Sequence, residues 1–149
     1  MVHREWPSRD AYDTALAAAL ADEQVSLVCL AGFMRLLGPR FLESFPNRVL
    51  NIHPSLLPAF PGMHAQRQAF DYGVTIAGAT VHLVTAQLDE GPIVDQAAVA
   101  VRADDTLEAL AARILEAEHE LYPRAVQRVL DGKWRLVGRR FVEDRADSA

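Results

Sequence analysis

Cysteine is almost absent from this sequence of 149 residues, in which Cys29 is the single thiol. One cysteine cannot form a disulfide within the chain, and small secreted domains generally depend on paired cysteines. The amino-terminal run MVHREWPSRD is polar, whereas a secretory signal would need an apolar run there. These features together predict a reducing, cytoplasmic location.

Long apolar runs and an excess of basic residues are also missing. The longest apolar run, residues 27–34, is far shorter than the roughly 20 residues that cross a bilayer, so we expect no membrane role. Lys and Arg number 15 against 20 Asp and Glu, which leaves a net charge of −5. Because a phosphate backbone requires a basic surface, we also expect no nucleic-acid partner.

Internal repeats, low-complexity tracts and Gly/Ser-rich linkers are absent as well, which favours a single domain over residues 1–149. Half of the residues are hydrophobic. A chain of this length can bury roughly two thirds of the surface that its unfolded form exposes. The sequence therefore predicts one globular domain whose core needs no disulfide.

The hydrophobic pattern alternates helices with strands, which indicates an α/β fold. Helices are predicted from Ser8 as N-cap, over 39–44, over 65–72, and from a capping box at Asp105 and Glu108 towards Gly132, with Pro123 as the place of a kink. Strands are predicted at 25–32, 48–52, 76–84 and 93–101, followed by a hairpin about Gly138. The run 25–32 has no polar alternation, which is typical of a strand covered on both faces, and so we expect a mostly parallel sheet.

Asn51 and His53 lie at the end of the predicted strand 48–52, in the run Asn-Ile-His-Pro. In open α/β sheets, ligands bind beyond the carboxyl ends of the strands. Residues two apart on an extended segment point the same way, so an amide that donates to an oxyanion and an imidazole that moves a proton would share one location. The same residues equally suit a turn cap and a packed, partly buried histidine.

Asp89 follows another predicted strand, in the run Leu-Asp-Glu-Gly-Pro. A carboxylate near His53 would favour the imidazolium, orient the ring or hold a water molecule. Taken alone, an aspartate before Gly-Pro is more simply an ordinary turn residue. His82 lies among apolar residues in the preceding strand, which indicates a packed or supporting role.

Several further short motifs follow one another along the chain. They are Ala31-Gly-Phe-Met-Arg35, Asn51-Ile-His-Pro-Ser-Leu-Leu-Pro58, Phe60-Pro-Gly62, Thr80-Val-His-Leu-Val84, Leu88-Asp-Glu-Gly-Pro92, and Glu118-His119 with Tyr122-Pro123. In these motifs, over nearly its whole length, the sequence resembles the phosphoribosylglycinamide formyltransferase family. Members of that family transfer a formyl group from 10-formyltetrahydrofolate to the amine of glycinamide ribonucleotide. The resemblance implies a Rossmann-like sheet and small-molecule substrates.

The resemblance also implies roles for individual residues. Asn51 would stabilise the oxyanion, His53 would be the catalytic histidine, and Asp89 would tune His53 and organise a water molecule, with no metal involved. Binding of the folate co-substrate is implied for Arg9, Met34, Arg35, Leu36, Leu37, Asn51, Thr85, Ala86, Gln87, Leu88 and Asp89. Binding of the ribonucleotide is implied for Ile52, Pro54 and Glu118, the last a polar interruption of an apolar helical face. By their chemistry alone, Met34, Leu36 and Leu37 suit core packing, and Arg9 suits a solvated helix start.

The family's glycine-rich phosphate loop, which follows its first strand, has no counterpart in the residues before Ser8. A phosphate needs several converging backbone N–H groups at a helix N-terminus. We therefore expect an amino-terminally truncated form, the C-terminal three quarters of the family's domain, that binds folate but turns over the ribonucleotide poorly. A homo-oligomer or a complementing amino-terminal segment would cover the exposed sheet edge.

Two other functions remain open from the sequence. A 10-formyltetrahydrofolate hydrolase shares the Asn, His and Asp site, and a catalytically silent folate-binding module would keep the pocket alone. Glu118 and His119 favour the transferase, whereas the acidic charge disfavours a methionyl-tRNA formyltransferase. The crowded Leu57-Pro58 peptide is also a candidate for a cis bond.

Overall fold

The computed structural model describes residues 3–33 and 35–144. In chain order its elements are a 3-10 helix (His3–Glu5), α1 (Arg9–Asp22), β1 (Val28–Leu30), α2 (Pro39–Ser44), β2 (Val49–His53), α3 (Ala65–Tyr72), β3 (Ile76–Leu83), β4 (Ile93–Ala100), α4 (Leu107–Leu130), β5 (Trp134–Val137) and β6 (Arg140–Glu143). This order confirms the predicted α/β class. None of the helices within the described ranges is long and apolar enough to cross a membrane.

Within the described residues, six strands form one sheet in the order β1-β2-β3-β4-β6-β5. The pairs β1–β2 and β4–β6 are parallel, whereas β2–β3, β3–β4 and β5–β6 are antiparallel. The sheet is therefore mixed, although the sequence predicted a mostly parallel one. The loop 84–92 is too short for the crossover that a parallel β3–β4 pair would need, so these strands form a hairpin.

The strand β1 differs from the prediction in its burial. It was expected to be covered on both faces, but among the described strands it pairs with β2 alone, and its middle residue, Cys29, is exposed. An apolar run indicates that a strand is suited to burial. The position of the strand in the sheet decides whether both of its faces are covered. The sequence pattern carried no information about that position.

Several local predictions are confirmed. The Ser8 hydroxyl caps α1 by accepting a hydrogen bond from the Ala11 N–H at 3.1 Å. Gly73 ends α3 with φ of 84°, and Gly138 takes φ of 60° in the turn between β5 and β6. The Leu57-Pro58 peptide is cis.

The cap of α4 is shifted by one residue from the predicted capping box. Thr106 is the N-cap, and its hydroxyl accepts from the Ala109 N–H at 3.1 Å. Asp105 instead accepts from the Arg113 guanidinium at 2.7 Å and from the Arg102 N–H at 2.7 Å. These bonds lower the pKa of Asp105 to about 2. A carboxylate already bound in this way cannot also cap the helix, so the neighbouring hydroxyl does.

Helices cover both faces of the sheet at β2. The larger hydrophobic cluster lies under α4, which continues through Pro123, and under α3. The second cluster joins α1 and α2 to the other face. Adjacent β2 residues belong to different clusters, with Val49 in the second and Leu50 in the first. The carboxyl end of β2 is therefore held between two helical layers.

Thr80 of β3 organises the irregular loop that follows His53. Its hydroxyl donates to the Ser55 carbonyl at 2.7 Å and accepts from the Leu57 N–H at 3.1 Å and the Gln96 amide at 3.0 Å. Thr80 is fully buried. A backbone segment that cannot form a strand ladder thus has its polar groups satisfied by one side chain.

Replacing Thr80 with valine is expected to lower the free energy of unfolding by about 1–3 kcal/mol, because buried loop groups would lose their partner. Chemical denaturation measures this change. Thr75→Val, at an exposed position just before β3, is the matched control and should stay within about 0.5 kcal/mol of the unaltered chain. Equal stability of the two variants would contradict the role of the Thr80 hydroxyl.

Candidate active site

The carboxyl end of β2 brings its polar residues against β3. In the antiparallel register, Asn51 faces His82 and His53 faces Thr80. Residues directly opposite in such a pair have their side chains on the same face of the sheet. The predicted common orientation of Asn51 and His53 therefore places both beside polar residues of the neighbouring strand.

His82 orients the Asn51 amide. Nδ2 of Asn51 donates to Nε2 of His82 at 3.3 Å, and Nδ1 of His82 donates to the Leu83 carbonyl at 3.2 Å. Burial lowers the pKa of His82, against the opposing effects of the Leu83 bond and the Asp89 charge. A neutral ring keeps Nε2 as an acceptor, so one N–H of Asn51 is occupied and the other can donate to an atom in the cleft.

Two oxygen acceptors flank the His53 ring. Nε2 lies 2.9 Å from the Phe60 carbonyl, and Nδ1 lies 3.5 Å from Oδ2 of Asp89. The side chains of His53 and Asp89 are only 8% and 7% exposed. The ring is thus fixed in orientation, with Nδ1 close to the Asp89 carboxylate, which is largely shielded from water.

Asp89 joins the loop after β3 to the loop after β2. Its Oδ2 accepts from the Gly62 N–H at 2.8 Å, and its Oδ1 lies 3.8 Å from Nε2 of His82. Asp89 itself has φ of 52°. The chain can turn back here because Gly91 packs on the Leu83 carbonyl, where a Cβ would lie only 1.6 Å from the oxygen. Glycine at position 91 therefore helps to place the carboxylate.

These groups open into a cleft of about 820 Å³. Its lining comprises Ala31, Gly32, Phe33, Leu36, Asn51, Ile52, His53, Pro54, Gly62, Met63, His64, Ala65, Gln66, Leu88, Asp89, Leu115, Glu118, His119, Tyr122 and Pro123. Burial raises the pKa of Glu118, and the nearby His119 partly opposes this effect. The volume lies within the range usual for small-molecule sites, and the walls combine apolar side chains with a few polar groups.

Tyr122 ties α4 to the strand ends. Its hydroxyl donates to the Leu30 carbonyl at 2.6 Å and lies 3.2 Å from the Leu50 carbonyl. Burial raises the pKa of the Tyr122 hydroxyl, which therefore remains a donor. The contact sets the distance between Glu118, one helical turn earlier, and Asn51, the residue after Leu50.

The residues named from the resemblance divide into two groups. Those in the cleft lining are Leu36, Asn51, Ile52, His53, Pro54, Leu88, Asp89 and Glu118. Arg9 is exposed at the start of α1, Arg35 stacks over the Tyr12 ring, and Leu37 is buried in the second cluster. Thr85, Ala86 and Gln87 belong to the loop after β3, without lining the cleft, and Met34 lies outside the described residues.

The sequence did not indicate every residue of the site. The packed or supporting role predicted for His82 agrees with its burial and its contact with Asn51, but its approach to Asp89 was not predicted. Polar residues at alternate positions 80 and 82 of an apolar strand were an available signal. Leu115 and Tyr122 left no such signal, because their helical spacing also suits core packing.

Among residues 3–33 and 35–144, no group of three or more His, Cys, Asp and Glu side chains has an arrangement that could hold a metal ion. Asn51, His53 and Asp89 contact His82, one another or backbone atoms. In the described residues every buried side-chain nitrogen and oxygen has a hydrogen-bond partner. The arrangement suits proton transfer and hydrogen bonding to a ligand.

Comparisons with known proteins agree with this geometry. The profile of the formyl transferase family matches residues 1–126. Over 133 residues the chain is 50% identical to the phosphoribosylglycinamide formyltransferase of Mycobacterium tuberculosis, covering 89% of this chain and 62% of that protein. It is 46% identical to the trifunctional purine biosynthetic protein adenosine-3 of Bos taurus, covering 90% of this chain and 13% of that protein.

Solved structures give the same picture. The chain superposes on glycinamide ribonucleotide transformylase 1 from Symbiobacterium toebii with a TM-score of 0.93 and 55% identity, covering 96% of this chain and 68% of that one. A formyltetrahydrofolate deformylase from Pseudomonas syringae pv. tomato aligns with a TM-score of 0.82 and 31% identity, covering 87% of this chain and 43% of that one.

The chain thus spans 62% of the Mycobacterium tuberculosis protein and 13% of the trifunctional one. The family match nevertheless covers the residues from α1 to near the end of α4, and with them the whole cleft described above. By sequence and by fold, this chain belongs to the formyl transferase family.

Proposed function

We propose that this chain transfers a formyl group from 10-formyltetrahydrofolate to the terminal amine of glycinamide ribonucleotide, a step of purine biosynthesis. The observation that carries the proposal is the meeting of Asn51, His53 and Asp89 in one cleft whose lining also includes Glu118. An amide donor, an imidazole and a carboxylate are the groups that this reaction needs. The relatives named above support the choice of substrates.

The first step needs a donor for negative charge. When the amine nitrogen attacks the formyl carbon, a C–N bond forms and the carbonyl electrons move onto oxygen. The Asn51 N–H that is not bound to His82 would donate to this oxygen. A donor that is already oriented costs no reorganisation during the reaction, and such donors are commonly the largest catalytic contribution.

The second step needs proton movement. The tetrahedral intermediate carries a proton on the attacking nitrogen, and the bond from carbon to the folate nitrogen breaks as that nitrogen gains a proton. His53 would carry the proton between the two nitrogens. Asp89, 3.5 Å from Nδ1, would stabilise the protonated ring during the transfer.

The walls of the cleft suit the two substrates. Leu36, Phe33 and Leu88 offer apolar surface to a heteroaromatic ring. Glu118 would accept hydrogen bonds from the amine or the ribose hydroxyls of the ribonucleotide. Arg9, Arg35 and residues 85–87 would act at the outer parts of the folate, since the cleft lining does not include them.

One alternative has a specific observation in its favour. The similarity to a formyltetrahydrofolate deformylase supports attack by water in place of an amine. The products would then be formate and tetrahydrofolate. A folate-binding module without turnover is the remaining alternative.

Release of tetrahydrofolate, measured with and without glycinamide ribonucleotide, separates these functions. We expect release that depends on the ribonucleotide, with Glu118→Gln raising the KM for the ribonucleotide several-fold more than that for the folate. Release without the ribonucleotide would overturn the proposal in favour of the hydrolase. Folate binding without any release would overturn it in favour of the binding module.

Small molecules are the principal partners in this proposal. A homo-oligomer or a complementing amino-terminal segment would find a pairing edge at β1, where the exposed Cys29 and the free side of the strand, among the described residues, support such a contact.

A further inference from the structure

Helix α1 contacts the loop that forms one wall of the cleft. The described residues of this loop, 31–33 and 35–38, lie between β1 and α2, and Phe33 and Leu36 among them line the cleft. The contacts with α1 lie at Arg35 and Gly38, on either side of Leu36 and Leu37. A helix that lies outside the cleft lining thus determines the position of part of that lining.

The contact at Gly38 involves a buried carboxylate. Asp13 is only 2% exposed, and its Oδ2 accepts from the Gly38 N–H at 2.7 Å. Gly38 is the N-cap of α2 and has no side chain with which to cap it. Asp13, 25 residues away, instead satisfies the N–H of the cap residue itself. A Cβ at position 38 would lie 2.8 Å from the same oxygen, so any residue other than glycine would require the Asp13 carboxylate to shift.

The contact at Arg35 is made by Tyr12, the residue of α1 that precedes Asp13. The Arg35 guanidinium carbon lies 4.9 Å from the centroid of the Tyr12 ring, within the range of a cation–π interaction. Between the two contacts, Leu37 is buried in the second hydrophobic cluster, whereas Leu36 is 39% exposed and faces the cleft. The loop is therefore held by its contacts with α1, while the Leu36 side chain faces the cleft, where it can contact a ligand.

We propose that Asp13 is a positioning residue of the reaction, which holds the Leu36 wall in place for the heteroaromatic ring of the folate. The inference rests on the function proposed above. Asn51 and His53 lie on β2, whose place is set by the sheet and both helical layers, so loosening the loop should weaken ring binding and leave the chemistry largely intact. A KM effect separate from kcat is the result that distinguishes positioning from general destabilisation.

The test uses the full chain with tetrahydrofolate as the probe. For Asp13→Ala we expect the dissociation constant of tetrahydrofolate, measured by calorimetry, to rise about tenfold, together with the KM for the formyl donor. The kcat should stay within about threefold and the KM for the ribonucleotide within about twofold. Asp13→Asn, which retains an oxygen acceptor for the Gly38 N–H, should restore binding to within about threefold. Asp22→Ala, exposed at the end of α1, is the matched control without effect.

A second variant addresses the contact from the loop side. Gly38→Ala brings a methyl group against Asp13 and should raise the dissociation constant of tetrahydrofolate. This variant tests the positioning role of Asp13 if Asp13→Ala does not fold. Unaltered tetrahydrofolate binding in the folded variants, or equal losses in kcat and in binding, would overturn the positioning role alone. Absence of tetrahydrofolate binding by the unaltered chain would overturn the proposed function instead.

Discussion

His53→Ala is expected to slow formyl transfer by about 10²–10⁴-fold, the contribution typical of a positioned acid–base group. The ring lies between a carboxylate and a backbone carbonyl, at 3.5 Å from Asp89 and 2.9 Å from the Phe60 oxygen. Without it, the proton must pass between the two nitrogens through water. Single-turnover measurement of tetrahydrofolate formation gives the rate of this step.

The structural role of His53 needs its own control, because Nε2 also contacts the loop at Phe60. His53→Gln keeps an N–H donor for that carbonyl but cannot carry a proton at neutral pH. We expect the glutamine variant to unfold at the same denaturant concentration as the unaltered chain and to be as slow as the alanine variant. A glutamine variant with normal turnover would show that His53 serves only to hold the loop.

Asn51→Ala should lower kcat by about 10²–10³-fold, which corresponds to about 3 kcal/mol of lost oxyanion stabilisation. The amide is oriented before any ligand binds, since one N–H is bound by the neutral ring of His82 at 3.3 Å. Binding of tetrahydrofolate, which has no formyl oxygen, should change little. Measured together, kcat and tetrahydrofolate binding distinguish a loss of transition-state stabilisation from damage to the binding pocket.

Asn51→Asp is the matched control for the donor. It preserves the shape of the side chain but replaces the N–H donors with oxygen acceptors, both towards His82 and towards the cleft. We expect it to be at least as slow as the alanine variant. A fast aspartate variant would assign the oxyanion to another donor, and full activity in Asn51→Ala would remove Asn51 from the chemistry.

A double variant examines whether the two residues serve one intermediate. Groups that act together in one step lose less in combination than the product of their separate losses. Asn51 and His53 are two residues apart on β2 and face alternate positions of β3, His82 and Thr80. The combined variant should therefore be only slightly slower than the slower single variant.

Much of the site was predictable because its polar residues interrupt strong local patterns. Asn51, His53 and Asp89 each follow or end an apolar strand. Because β2 and β3 are antiparallel, their carboxyl ends lie at opposite ends of the pair, and Asp89 reaches His53 through the loop after β3. The structure brings these residues together as expected. Their catalytic roles stay predictions until the variants above are measured.

Other features depended on contacts that no local pattern records. Burial under neighbouring elements lowers the pKa of His82, and the cap of α4 moved to Thr106 because Arg113 had bound Asp105. The mixed sheet likewise reflects the short connection between β3 and β4 rather than the composition of either strand.

The sequence by itself determined the α/β order, the helices at 39–44 and 65–72, and the identity of the three polar residues at the strand ends, because side-chain periodicity and turn residues act over short distances. The tertiary structure alone decided which strands pair, that β1 is at an edge among the described strands, and that Asp13 of α1 binds the Gly38 N–H. These depend on residues far apart in the chain, whose burial and charge are defined only after packing.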